Sequence, residues 1–362
     1  MMDWNNNWPE TKQRFQAWWK QKETDRPLMW VTAVRECTKG TKEEHGTGKP
    51  VFDDTEDYYT NVEKLVEQYR HTIRTRHFLA DSFRNLDLNL GAGSMALYLG
   101  GKPNFAWDTV WFNGLEEDRW GRLEPLVYDP DNIWWKRHLA MLKEAKELSK
   151  GEFAVNIPDI VENADILAAL RGTQNLLYDF IDRPDMISAY LKQIDKLYFT
   201  YYDAIYDLVK GEDGSSVYTA FRIWGPGRTA KVQCDFCAML SPALFREYIV
   251  PSLWKQCGNL DNSLYHLDGP DAIKHVDALL EIEELDAIQW TSGAGKPDGG
   301  DEIWYPLYDK VVNADKSLHI SIYQGNVNDW IDKSAKLVKR YGSKHLYLLF
   351  PEMSEKEAAA VL

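Results

Sequence analysis

Hydrophobic and polar positions fall into two alternating kinds of block along this chain. Short apolar runs of strand length end in polar residues, and longer stretches follow in which apolar residues recur at helical spacing. The clearest unit is residues 265–295, YHLDGPDAIKHVDALLEIEELDAIQWTSGAG. An apolar run leads into His266 and Asp268, breaks at Gly269-Pro270, and gives way to a helix-patterned segment. A second run, LDAIQW, then ends in Ser292-Gly293-Ala294-Gly295. Strand, helix and strand in this order predict a βαβ unit and hence a parallel sheet.

The same alternation extends over the whole chain. Residues 1–24 carry Trp4, Trp8, Phe15, Trp18 and Trp19 on a helix starting after Pro9, expected to cap one end of the domain. Strand-like runs occupy 28–34, 83–91, 153–160, 215–225, 262–269, 285–293, 317–325 and 345–351. Helical patterns lie at about 55–80 and 131–150, after Asn163, at 184–210, after Ser241, and at about 301–315, 328–341 and 353–362. Pro184 suits the first turn of the longest helix and Gly211 its stop. Residues 37–53 read as a charged, Gly-rich loop, and the aromatic, acidic stretch 107–130 as an insertion at the rim. Gly91, Gly93, Gly100 and Gly101 lack the spacing of a phosphate-binding loop and are expected in a mobile rim loop. Eight strands alternating with helices predict one (β/α)8 TIM-barrel domain over 1–362.

Composition narrows the function classes. With 42 basic against 56 acidic residues, the net charge of −14 argues against nucleic acid and anionic membrane surfaces. No apolar run reaches membrane-spanning length, and MMDWNNNWPETKQ lacks the basic and apolar regions of a signal peptide, so a soluble cytoplasmic protein is expected. Cys234 and Cys237 form a lone CxxC, read as reduced core thiols rather than a zinc site. Fifteen Trp and nineteen Tyr exceed what a core needs, so part of them is expected to wall a pocket.

Barrel chemistry gathers where strands end. There the sequence has Arg35, Glu36, Asp159, Arg222, Trp224, His266, Asp268, Gln289, Trp290, Tyr323, Gln324, Asn326 and Glu352, with Asp235 just beyond the fourth run. Arg35, Arg222, Trp224, Gln289, Trp290, Tyr323 and Asn326 are the candidate substrate contacts. His266 and Asp268 share one strand face: His266 suits a general acid or metal ligand with Asp268 as its partner. The alternative is a histidine bound to the adjacent loop and an aspartate capping the next helix. Arg222 can clamp a carboxylate or phosphate, or form a structural ion pair. Trp224 and Trp290 either line the site or pack the barrel end. Asp235, between apolar residues and two cysteines, is expected to be partly buried and therefore to need a partner or a raised pKa. The GxSxG arrangement is absent.

Four phrases together resemble one family: DRPLMWVTAVR at 25–35, CDFCAMLSPALFREYIVPSL at 234–253, YHLDG at 265–269 and IYQGNVN at 322–328. In this order they are similar to the uroporphyrinogen decarboxylase superfamily, which also holds methyltransferases serving corrinoid proteins. Departures shape what the resemblance implies. Thr32-Ala33-Val34-Arg35-Glu36 stands where classical decarboxylases gather arginines in a Gln-Ala-Gly-Arg run, and FPEMSEKE replaces a Gly-His-Gly-Ile-like turn. In thiol-activating relatives a His-x-Cys and a later Cys hold zinc; here His266 matches the histidine, Asp268 takes the cysteine position, and Glu352 is the candidate ligand near the last strand. Such hard donors suit activation of water or an ether oxygen better than a thiolate. The resemblance thus implies methyl transfer from a small, methyl ether-like donor to a corrinoid protein, with zinc at His266 and Glu352. A decarboxylase of a small organic acid or porphyrinogen-like substrate, a carbohydrate-processing barrel and a non-catalytic corrinoid-complex binder remain alternatives, and a homodimer stays open.

Overall fold

The computed structural model describes residues 4–5, 7–36 and 50–362, so most of the loop expected at 37–53 lies outside the described residues. Among the described residues fourteen strands are formed: β1 (Leu28–Val34), β2 (Arg76–Ala80), β3 (Asn85–Leu86), β4 (Lys102–Phe105), β5 (Val110–Asn113), β6 (Ala154–Val155), β7 (Ser216–Tyr218), β8 (Ile223–Gly225), β9 (Thr229–Gln233), β10 (Asn262–Asp268), β11 (Ala287–Thr291), β12 (Ser317–Ser321), β13 (Leu346–Leu349) and β14 (Met353–Ser354). The main sheet runs β1-β13-β12-β11-β10-β9, every neighbouring pair parallel. β3 and β6 form a separate parallel pair. Helices separate the parallel strands, giving an α/β fold around a mostly parallel sheet. Among the described residues the ladder is not closed between β1 and β3 or between β6 and β9.

Those two breaks are where the sequence reading and the structure differ. Helical periodicity at 55–80 continues only to Thr75; Arg76–Ala80 then turns back as β2, antiparallel to β1 on its free edge. The run 215–225 is not one strand. It rises as β7, reverses through the turn Thr219–Phe221 with Arg222 in the left-handed region (φ 54°), and descends as β8. The parallel neighbour of β10 is instead β9, whose TAKVQ interleaves polar and apolar residues. The stretch expected as a rim insertion from 107 begins inside the antiparallel hairpin β4–β5, whose turn is closed by Ala106 N–H donating to Thr109 O at 2.9 Å.

At the opposite end, the helix Trp8–Trp19 covers the sheet. Pro9 occupies its first turn, where a missing N–H costs nothing. Phe15 is fully buried against Phe83, Trp224 and Tyr347, and Trp19 Nε1 donates to Trp224 O at 2.9 Å. Buried Asp81 pins the start of β1: Arg14 and Arg26 reach its carboxylate at 3.1 and 2.5 Å, and Met29 N–H donates to it at 3.0 Å. Three partners offset the cost of enclosing this charge. None of the helices among the described residues is long and apolar enough to cross a membrane.

Candidate functional site

Register brings five side chains into one row across five strands. Gln233 pairs with His266, His266 with Gln289, Gln289 with His319 and His319 with Tyr347. Because strand side chains alternate, Lys231 and Asp268 lie on the same face as this row, whereas Tyr265, Leu267 and Trp290 turn the other way into the helix layer. The polar face is the inner one.

Asp235, His266 and Asp268 converge at the C-terminal end of β9 and β10, each offering one ligand atom within 4.8 Å of the others. His266 is oriented by a short hydrogen bond between Nδ1 and Gln289 Oε1, and Gln289 Nε2 donates onward to Thr291 Oγ1 at 2.9 Å. Asp235 is set by Asp165, whose carboxylate accepts from Asp235 N–H at 2.9 Å, Phe236 N–H at 2.8 Å and Gln233 Nε2 at 2.7 Å. Gln233 Nε2 also donates to Asp235 Oδ2 at 3.0 Å. The short helix after β10 is capped at Gly269 without a side chain, so Asp268 is not spent as an N-cap.

The electrostatics follow from this crowding. Burial, then the neighbouring Asp165 and Asp268, push the Asp235 carboxyl up to about 7, against the pull of Lys231. Burial and Lys231 hold His266 below its usual range, so the imidazole is neutral and able to bind a metal at neutral pH. Lys231 itself is enclosed, 2.7 Å from Asp159, whose carboxylate also accepts from Tyr218 Oη at 2.6 Å. Behind them Glu162 is raised well above the carboxylate range, chiefly by burial.

Two cavities flank the row. One, of about 870 Å³, is bounded by Gln233, Asp235, Phe236, Asp165, Arg171 and the β5 strand. The other, of about 660 Å³, opens beside Asp87 and Asp159 under Tyr58, Tyr59 and Trp107. Ala92 and Thr109 line both, so the turn of the β4–β5 hairpin stands between them.

No family model and no curated protein sequence matches the chain. Among solved structures it is similar to a methyltransferase from Methanosarcina mazei, with TM-score 0.61 and 13% identity over 97% of this chain and 96% of that one. The likeness shows a shared fold.

Other expected site residues lie elsewhere. Trp224 sits on the descending β8, which carries it to the opposite end beneath the N-terminal helix, so it packs the floor. Trp290 faces outward against Trp304. Glu352, expected as a metal ligand, is held by Arg76 and lies beside Arg222 in a separate cleft of about 210 Å³. Arg222 stacks its guanidinium 5.3 Å over Trp30, with no ion-pair partner among the described residues. Arg35 is exposed and donates to Arg76 O at 3.1 Å. Asn326 is the cap of the helix Val327–Tyr341, completed by Asp329. Tyr323 is an exposed rim residue whose N–H, like that of Gln324, donates to buried Asp298. Cys234 and Cys237 are buried thiols. Lys231, Asp165, Asp87 and Glu162 escaped the sequence reading; the period-two pattern of TAKVQ was the available signal for Lys231.

Proposed function

We propose that this chain is a methyltransferase of the uroporphyrinogen decarboxylase-like kind, its eight parallel strands β1, β3, β6 and β9–β13 forming the staves of a (β/α)8 barrel. It would take a methyl group from a small oxygenated donor and deliver it to a corrinoid carried by a partner protein. The observation that carries the reading is the convergence of Asp235, His266 and Asp268 at one strand end, within 4.8 Å. The motif resemblance and the shared fold with a methyltransferase agree with it.

The donor set fits zinc. One imidazole and two carboxylates are hard-to-borderline ligands, and a dication among them relieves the mutual repulsion that raises Asp235. With Nδ1 engaged by Gln289, Nε2 of His266 is the nitrogen left for the metal, and the amide fixes the ring plane. Bound zinc would supply a Lewis acid for the oxygen of the donor. The protein's part is positional. Asp165 and Gln233 hold Asp235 toward the cluster, Lys231 tempers the local negative charge, and the cavity beside Asp235 receives the donor.

Metal analysis of the purified protein and of His266→Ala tests the reading. About one zinc per chain, lost in the variant together with methyl transfer to a corrinoid acceptor, is the expected result. Absence of bound zinc after loading would favour the second reading, decarboxylation of a small organic acid, in which Asp235, poised at about 7, exchanges the proton.

A further inference from the structure

The cavity of about 660 Å³ on the far side of Ala92 is built unlike the one at Asp235. Among the described residues, no lysine, arginine or histidine lines it, whereas Asp87, Asp108 and Asp159 do. Asp159 is neutralised from behind by Lys231. Asp87 has no such partner among the described residues, where its carboxylate accepts from the neutral amides of Asn89 at 2.9 Å and Asn156 at 2.7 Å. Two further acceptors stand idle in the same wall. Asn85 is 5% exposed and spends its amide nitrogen on Phe83 O, leaving Oδ1 without a partner. Thr219 Oγ1 is likewise unpartnered. Neither atom is open to the cavity, so the carboxylate of Asp87 is the acceptor that a ligand there would meet.

Aromatic rings complete the enclosure. Tyr58, Tyr59 and Trp107 line the cavity, the Tyr58 ring lying edge to face with those of Tyr59 and Trp107 at centroid distances of 5.1 and 5.8 Å. Ring faces attract cations, most strongly where solvent is excluded.

We propose that this cavity binds a small protonated amine, its ammonium group held by Asp87 and its alkyl substituents against Tyr58, Tyr59 and Trp107. Anions are disfavoured there, because no basic residue lines the cavity among the described residues, and a neutral alcohol gains nothing from the charge of Asp87. Burial and Asp159 push the Asp87 carboxyl up to about 6, and an arriving cation would draw it back down. The inference rests on the reading of this end of the fold as a small-molecule site, and it places a second, ammonium-bearing ligand beside the methyl donor.

Calorimetric titration of the full chain with trimethylammonium chloride tests it, with tert-butanol and sodium acetate as neutral and anionic probes at matched ionic strength. The amine is expected to bind and the other two not. Asp87→Asn is expected to weaken the amine by about tenfold or more, and Tyr59→Leu by a smaller factor, both keeping the zinc content of the parent. If Asp87→Asn does not fold, Tyr59→Leu and the three-probe comparison decide. Equal binding of tert-butanol or acetate, or no response to the amine, overturns the proposal. His266→Ala separates the two readings: it should lose metal and keep amine binding.

Discussion

The ammonium of Lys231 lies 2.7 Å from the carboxylate of Asp159, and the lysine side chain is wholly enclosed. Tyr218 and Gln233 complete the coordination of the pair, so each charge is met by hydrogen bonds as well as by its opposite. Removing one member leaves the other buried and alone. Lys231→Met should therefore cost about 3–5 kcal/mol, read as a lower urea midpoint, whereas the double variant Lys231→Met/Asp159→Leu should recover part of the loss. A single variant as stable as the parent would show that water reaches this pair.

Zinc affinity should depend on pH through Asp235. Its carboxyl is raised to about 7, and a metal needs it ionised, so binding should tighten as pH rises from about 6 to about 8 and release a proton at the lower end. Gln289→Leu, which frees His266 Nδ1, should weaken zinc by about 10–100-fold. Isothermal titration in two buffers of different ionisation enthalpy reads both effects. A pH-independent affinity would remove Asp235 from the ligand set.

Two buried histidines should contribute to the loss of stability in acid. His138 is held between Tyr98 Oη and Leu88 O, and His319 against Phe221 O, and burial lowers both from 6.5 to about 4. A depressed histidine favours the neutral form in the folded state. The associated stability, about 3 kcal/mol for each, is present above pH 6.5 and is lost as pH falls toward 4. Urea unfolding at pH 7 and pH 4.5 measures it, and His138→Gln should flatten the slope between them. An unchanged slope would place the acid sensitivity elsewhere.

Asp298 organises the rim after β12. It is fully buried and accepts from Tyr323 N–H at 2.7 Å, Gln324 N–H at 2.6 Å, Gly300 N–H at 3.1 Å and Lys333 Nζ at 2.9 Å. Asp298→Ala strands these donors and the lysine charge, and should cost about 3–5 kcal/mol. Thermal unfolding of the variant, with the zinc content followed in parallel, distinguishes a loosened rim from a lost metal site.

Legibility in the sequence tracked how long an apolar run stayed in the sheet. β10 to β13 are uninterrupted, and their strand ends were readable, including the shared face of His266 and Asp268. β3 and β6 make only two-residue ladders inside the expected 83–91 and 153–160, because the chain leaves the sheet soon after pairing. β9 was hidden by its polar inner face, where Lys231 and Gln233 serve the site rather than a core. The second carboxylate beside His266 is Asp235, whereas the resemblance implies Glu352, which Arg76 claims. Trp224 read as a strand-end residue because a reversal at Arg222 leaves no trace in hydropathy. The unpaired Asp87 could not be recognised without its neighbours.

That reversal has a mechanical consequence. Arg222 borders the cleft beside Glu352, and Trp224, only two residues on, packs against Phe15 and accepts from Trp19 Nε1. A short segment whose carbonyls are bonded at both ends, by Tyr347 Oη at Arg222 and by Trp19 Nε1 at Trp224, transmits restraint rather than absorbing it. Whatever immobilises the Arg222 guanidinium in that cleft should also slow amide hydrogen exchange in the helix Trp8–Trp19, so that the floor of the fold reports on its occupancy.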